Sequence, residues 1–124
     1  ADHGGFIGVT MFTPFLRRGG GSTIDDYIEA INYIINIAGE DRIGIGTDFT
    51  QGHGDPFFKW ISQDKGYART LSEFGEIKFP DGFSTIGDFP NLTAAMERAG
   101  WTETRIRNIL GLNWMRLLDE VWGP

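Results

Sequence analysis

The run Ile43-Gly44-Ile45-Gly46-Thr47 ends on one carboxylate, Asp48. A carboxylate presented at the end of such a segment can take a proton from water and return it to a leaving group. The same residue reads equally as an ordinary turn cap, because Asp after a strand readily bonds nearby backbone. Further on, His53 stands between two glycines, Gly52 and Gly54, and a neutral imidazole there could touch substrate or metal. The other histidine, His3, precedes the first apolar run and reads as surface or packing. Arg17-Arg18 reads as a solvated loop pair, on a side of the chain where it could meet a substrate carboxylate. Two histidines and no cysteine fall short of the three protein ligands a catalytic zinc takes, so no metal ligand is assigned.

Those residues need elements to hold them. Phe6 to Phe12 is a short β-rich run entered through Gly4-Gly5, and it predicts a strand. Ser22 and Thr23 before Asp25 and Asp26 predict a capped helix start with acid at its positive end. Ile24, Tyr27, Ile28, Ile31, Ile34, Ile35 and Ala38 then repeat with the helical period, and Gly39 predicts the stop. Asp25, Glu29, Asn32 and Asn36 fall on the opposite side. Arg42 to Gly46 predicts a second strand. Strand, helix and strand make a βαβ unit with a parallel pair.

Side chains alternate along a strand. Ile43, Ile45 and Thr47 therefore share one face, and Gly44, Gly46 and Asp48 the other. In the first strand Ile7, Val9 and Met11 oppose Gly8, Thr10 and Phe12. The branched faces suit helices packed outside; the glycine faces suit a crowded interior. In a barrel this places Asp48 and Phe12 inside, at the C-terminal ends of their strands, where parallel α/β enzymes keep their chemistry. That direction favours presentation of Asp48 over capping.

Residues 50–88 are irregular, with a short helix predicted around Phe57 to Ile61. Phe57, Phe58, Trp60, Tyr67, Phe74, Phe79 and Phe83 need apolar surface to cover, so the segment is expected over the catalytic face or at a subunit contact. Pro90 opens a helix with Leu92, Ala95, Met96 and Ala99 on one side, closed by Gly100. Thr102 caps another bearing Ile106, Ile109 and Leu110. Asn113 is expected to cap a last one, whose stripe of Trp114, Leu117, Leu118 and Val121 reads as core packing.

The bulk numbers narrow the class. A 124-residue chain that is 40% hydrophobic and 23% charged can bury a modest core. Its net charge of −6 argues against a nucleic-acid partner, which needs clustered Lys and Arg. No apolar run reaches the roughly 20 residues of a membrane helix, and nothing fixes a compartment. Two strands are too little parallel sheet for these helices. With no initiator Met, the chain is expected to be the C-terminal portion of a larger α/β protein.

Four stretches, GGFIGVTMF, STIDDYIEAINYI, GEDRIGIGTDF and IGDFPNLTAAMERAGWTETRIRNILGLNWMRLL, together resemble the C-terminal part of the renal-type (membrane) dipeptidases and their bacterial relatives. The resemblance implies that residues 1–124 are the last part of one metal-dependent (β/α)8 TIM barrel, incomplete in this chain. It implies a hydrolase that cleaves a dipeptide with two zinc ions and a metal-activated water. Asp48 then matches the acidic proton-transfer residue at the end of the last barrel strand. Phe12 falls where an aromatic, commonly Tyr, lines the substrate pocket, and lacks that hydroxyl. The family's metal ligands and its carboxylate-gripping Arg lie upstream of the matched region. Implied partners are a dipeptide or small amide substrate, the N-terminal remainder of the barrel and a second copy in a homodimer. Two rival readings stay open: an amidohydrolase acting on a cyclic amide, lactone or modified peptide, and a catalytically inactive binding module.

Overall fold

The structure is a computed structural model and describes residues 3–50, 52–64, 69–70 and 77–123. Strand β1 (Ile7–Thr10) leads through two short 3-10 turns into helix α1 (Ile24–Ala38), then strand β2 (Ile43–Gly46). Helix α2 (Asp55–Ile61) and two-residue strands β3 (Gln63–Asp64) and β4 (Arg69–Thr70) follow. Helices α3 (Phe89–Arg98), α4 (Glu103–Arg107) and α5 (Asn113–Trp122) complete the chain, the last two joined by a π-helical turn over Asn108–Leu112.

β1 and β2 pair in parallel, Ile7 opposite Ile43 and Thr10 opposite Gly46, which is the expected βαβ arrangement. Val9, Met11, Ile43 and Ile45 are buried against Tyr27, Ile28 and Ile31 of α1, Leu92 and Met96 of α3, and Ile106 and Ile109 beyond. Burying each such side chain is worth about 1.5–3 kcal/mol, so this layer holds the strand pair flat against three helices. Tyr27 is fully buried, and its hydroxyl donates to the Val9 carbonyl oxygen at 2.6 Å. Burial pushes its phenol pKa well up. It serves as a neutral hydrogen-bonding pin between helix and strand.

The start of α1 is built on charge. Asp26 accepts the Thr23 backbone N–H at 2.6 Å and the Thr23 hydroxyl at 3.0 Å, within a capping box. Arg18 donates to the same carboxylate through Nε at 2.9 Å and Nη2 at 2.7 Å. The guanidinium hydrogen bonds, with the Thr23 donors, lower the Asp26 pKa to about 2. Arg17 pairs with Glu29 at 3.0 Å. Both arginines of the loop are thus engaged by α1.

The opposite, glycine face of the sheet is covered as well. Trp114 of α5 lies across it: a Cβ on Gly44 would come 2.4 Å from the indole Nε1, and one on Gly8 3.2 Å from its ring. Phe6 packs on the same indole, ring centroids 4.4 Å apart. The expected crowding of this face is therefore real, and the two aromatics cause it.

Two expectations for the last helix are corrected. Asn113 is not an N-cap. It sits in continuous helical backbone, fully buried, and its amide donates to the carbonyls of Glu40 at 2.8 Å and Ile43 at 2.7 Å. Nor does the stripe Trp114, Leu117, Leu118, Val121 form one buried face: Leu117 and Leu118 are half-buried and Val121 is 66% exposed. The first turn of α5 meets the sheet, through Asn113 and Trp114, and the helix then runs past it to an exposed end at Val121 and Trp122.

Candidate functional site

The register sets the two strand ends side by side: Met11-Phe12 and Thr47-Asp48 leave the sheet together, just past the Thr10–Gly46 pair. The chain turns out of both strands by one device. The Phe12 N–H donates to Thr10 Oγ1 at 3.2 Å, and the Phe49 N–H donates to Thr47 Oγ1 at 3.4 Å. Such hydroxyl-to-backbone bonds, two residues apart, draw a segment out of the ladder.

Asp48 lies inside the second of these turns. Its φ is +59°, the one non-glycine residue with positive φ among the described residues. Asp adopts this left-handed conformation more readily than most side chains, but still at a cost. Strand β2 ends at Gly46, so strict strand alternation stops short of Asp48. The residue is exposed, and among the described residues it has no hydrogen-bond or ion-pair partner. Its carboxylate caps neither the turn nor α2, whose N-cap is Gly54.

Its neighbour, by contrast, is anchored. Phe49 meets Phe79 and Phe83 edge-on, each at 5.2 Å. Phe83 is fully buried, stacked on Tyr27 at 6.0 Å and edge-on to Phe89 at 5.6 Å. The Thr13 hydroxyl donates to the Lys78 carbonyl at 2.7 Å. Residues 77–83 therefore pack on the loops that follow both strands. Tyr67 and Phe74 lie outside the described residues. Phe12 is half-buried, its ring edge-on to Phe15 at 5.0 Å.

His53 is exposed. Its N–H closes a turn on the Thr50 carbonyl at 3.2 Å, and its imidazole stacks on Phe57, ring centroids 4.2 Å apart. No hydrogen bond joins it to Asp48 or Phe12. His3 is exposed. No three His, Cys, Asp or Glu side chains gather where they could hold a metal among the described residues. The described residues therefore offer no donor set that fits a catalytic metal centre.

Sequence reasoning passed over the paired threonine turns, although their trace is visible in the repeated Thr-x-Phe of Thr10-Met11-Phe12 and Thr47-Asp48-Phe49. It also passed over the Arg18–Asp26 clamp. A basic residue a few positions before a capping box is the signal that could have found it.

The pattern of the membrane dipeptidase family (peptidase family M19) matches residues 1–71 and 70–122. A crystal structure of an amidohydrolase from Pseudomonas aeruginosa is 60% identical and superposes over 99% of this chain with a TM-score of 0.94, the match covering 38% of that protein. A metallopeptidase from Rhodobacter sphaeroides, solved with a phosphinate mimic of the dipeptide L-Ala-D-Ala, is 25% identical with a TM-score of 0.65 over 95% of this chain and 28% of its own. An uncharacterized dipeptidase from Schizosaccharomyces pombe is 27% identical over 118 residues, 93% of this chain and 23% of that protein. The chain thus spans well under half the length of each of these relatives.

Proposed function

The chain belongs to the membrane dipeptidase family, peptidase family M19, and from that premise we propose that it supplies the last strands of a (β/α)8 hydrolase barrel and the residue that moves the proton in amide hydrolysis. The observation that carries the assignment is Asp48: an exposed carboxylate without a partner among the described residues, on left-handed backbone, at the C-terminal end of a parallel strand. Backbone strain held by anchored neighbours is a mark of functional positions, and the C-terminal strand ends are where barrel enzymes place their chemistry.

In this reading water adds to the amide carbon, the C–N bond breaks, and Asp48 accepts the water proton and delivers it to the departing amine nitrogen. The zinc ions expected of the family, two in the whole enzyme, are held by residues outside this chain, and the chain alone is inactive. Phe12 and His53 belong to the substrate side of the site, Phe12 as an apolar wall without a hydroxyl. The substrate class is a dipeptide, on the analogy of the Rhodobacter metallopeptidase with its dipeptide mimic.

The test is turnover of L-Ala-D-Ala by the whole protein and its Asp48→Asn variant. We expect kcat to fall by about 10²–10⁴, the usual share of a positioned proton-transfer group. Wild-type turnover in the variant would remove Asp48 from the mechanism. A second reading, hydrolysis of a different amide, is favoured by the amidohydrolase description of the 60% identical Pseudomonas protein and by Phe at position 12. Cleavage of a cyclic amide or lactone with dipeptides untouched would select it.

A further inference from the structure

The parallel ladder ends at Thr10 and Gly46, and past it the loops carrying Phe12 and Asp48 share a support. Residues 78 and 79 provide it. The Lys78 carbonyl accepts the Thr13 hydroxyl at 2.7 Å, although the two residues are 65 positions apart. Thr13 is fully buried and directly follows Phe12. Phe79 meets Phe49 edge-on, the rings 5.2 Å apart and at 88°, and Phe49 directly follows Asp48. Two consecutive residues therefore touch the immediate neighbours of the aromatic wall and of the carboxylate.

This strap is itself held from behind. The Phe83 N–H closes a turn on the Pro80 carbonyl at 3.0 Å, and Asn91 Nδ2 donates to the Gly82 carbonyl at 2.6 Å. Phe83 is fully buried and stacks on Tyr27, whose hydroxyl is tied to β1. The Phe49 ring contacts both Phe79 and this fixed ring. A non-glycine residue on left-handed backbone persists only where its surroundings over-determine it. On the C-terminal side of Asp48, those surroundings are the aromatic contacts of Phe49. Loosening them lets the backbone at residues 48 and 49 turn and carries the carboxylate with it; misplacing a reacting group by about 1 Å costs on the order of 10² in rate.

We propose that Phe79 and Thr13 are positioning residues for the hydrolysis: acting through Phe49 and through the turn after Phe12, they hold the Asp48 carboxylate and the Phe12 ring at one fixed separation across the two strand ends. Neither residue touches substrate in this arrangement. The inference rests on Asp48 as the proton carrier. It differs from plain packing in what it demands of the folded molecule. Contacts that only stabilise the fold lower the melting temperature on removal and leave turnover by the folded protein alone. Contacts that position Asp48 lower turnover, and do so only while Asp48 has a proton to move.

The experiment is a double-mutant cycle in the whole protein with L-Ala-D-Ala, or with the cyclic amide if that is what the protein cleaves, each variant assayed below its own melting temperature. Phe79→Leu removes the ring, and Thr13→Val removes the hydroxyl at nearly constant shape. Each should lower kcat by about tenfold to a hundredfold with KM within about threefold, since neither group binds substrate. Phe79→Tyr keeps the ring and should keep kcat within about threefold of wild type. In an Asp48→Asn background, Phe79→Leu and Thr13→Val should lower kcat no further, because residues that act through one another are not additive. Wild-type kcat in both single variants overturns the proposal, as does Phe79→Tyr falling as low as Phe79→Leu. Losses that recur in full in the Asp48→Asn background overturn it too, and leave Asp48 standing as the proton carrier. Wild-type turnover by Asp48→Asn, or none by the wild type, overturns the proton-carrier reading and the positioning proposal together.

Discussion

Trp114 donates its indole N–H to the Ile45 carbonyl at 3.0 Å while its ring lies over Gly44, at a position no Cβ could share. One side chain of α5 therefore fixes both the edge and the glycine face of the strand that leads to Asp48. The absence of a side chain at position 44 is a packing requirement, and it can be tested apart from any activity.

Gly44→Ala would force the indole off the sheet and break its bond to Ile45. Overpacking of this kind costs about 1–3 kcal/mol. Gly21→Ala, where an added Cβ meets nothing within 4 Å, is the control and should be close to neutral. Denaturant midpoints of the whole protein and the two variants give the comparison, and equal losses would contradict the Trp114 account.

Asn113→Ala leaves the Glu40 and Ile43 carbonyls without their donors. At about 1–3 kcal/mol for each buried group left unsatisfied, the loss should be several kcal/mol at most. Asn113→Asp should be worse still, since a carboxylate oxygen would face two carbonyl oxygens where an NH₂ now donates. If Asp is tolerated better than Ala by thermal unfolding, the side chain does not make those two bonds.

Acid should loosen the start of α1 within a defined window. The Asp26 carboxyl ordinarily titrates near 3.8 and is lowered to about 2 in the folded chain. A depressed folded pKa means that the stabilisation is fully present above the unfolded value and is lost as pH falls from about 4 toward 2. The Asp88 pKa is lowered too, chiefly by the Ser84 N–H and the Thr85 hydroxyl. Melting temperatures between pH 5 and 2 should fall more steeply for wild type than for Asp26→Asn, which lacks the titrating group. Parallel slopes would show that the Arg18–Asp26 pair is not coupled to folding.

Arg18→Lys tests the geometry of that pair. Lys keeps the charge but cannot donate to Asp26 from both Nε and Nη2, or reach Thr23 Oγ1 as Arg18 does at 2.9 Å. We expect a lower melting temperature, with kcat for L-Ala-D-Ala unchanged. A drop in kcat/KM at unchanged stability would instead put Arg18 at the substrate.

Much of this fold could be read from spacing because one face of each element is apolar. The period of α1, the Thr102 cap, the stop at Gly100 and the parallel pair all follow from local chemistry that tertiary contacts reinforce. Thr102 Oγ1, for instance, accepts the Arg105 N–H at 3.2 Å. What spacing could not give is how much of α5 the strand pair covers, because an apolar stripe marks a side of the helix and not what packs on it: Trp114 meets β2, while Val121 is exposed. It also could not follow the chain past Gly46: alternation holds only while the strand lasts, and the Thr47 turn redirects the backbone before Asp48. The β3–β4 ribbon escaped because two residues per strand carry no pattern.

The left-handed backbone at Asp48 sets stability and activity against each other. Glycine occupies φ near +60° without penalty and aspartate does not, so Asp48→Gly should make the fold slightly more stable while removing the carboxylate. Asparagine tolerates the conformation about as well as aspartate, which makes Asp48→Asn the variant that changes chemistry with least change in folding. Under selection for stability alone this position would drift to glycine or asparagine. An aspartate kept there among functional descendants would measure what the carboxylate is worth to them.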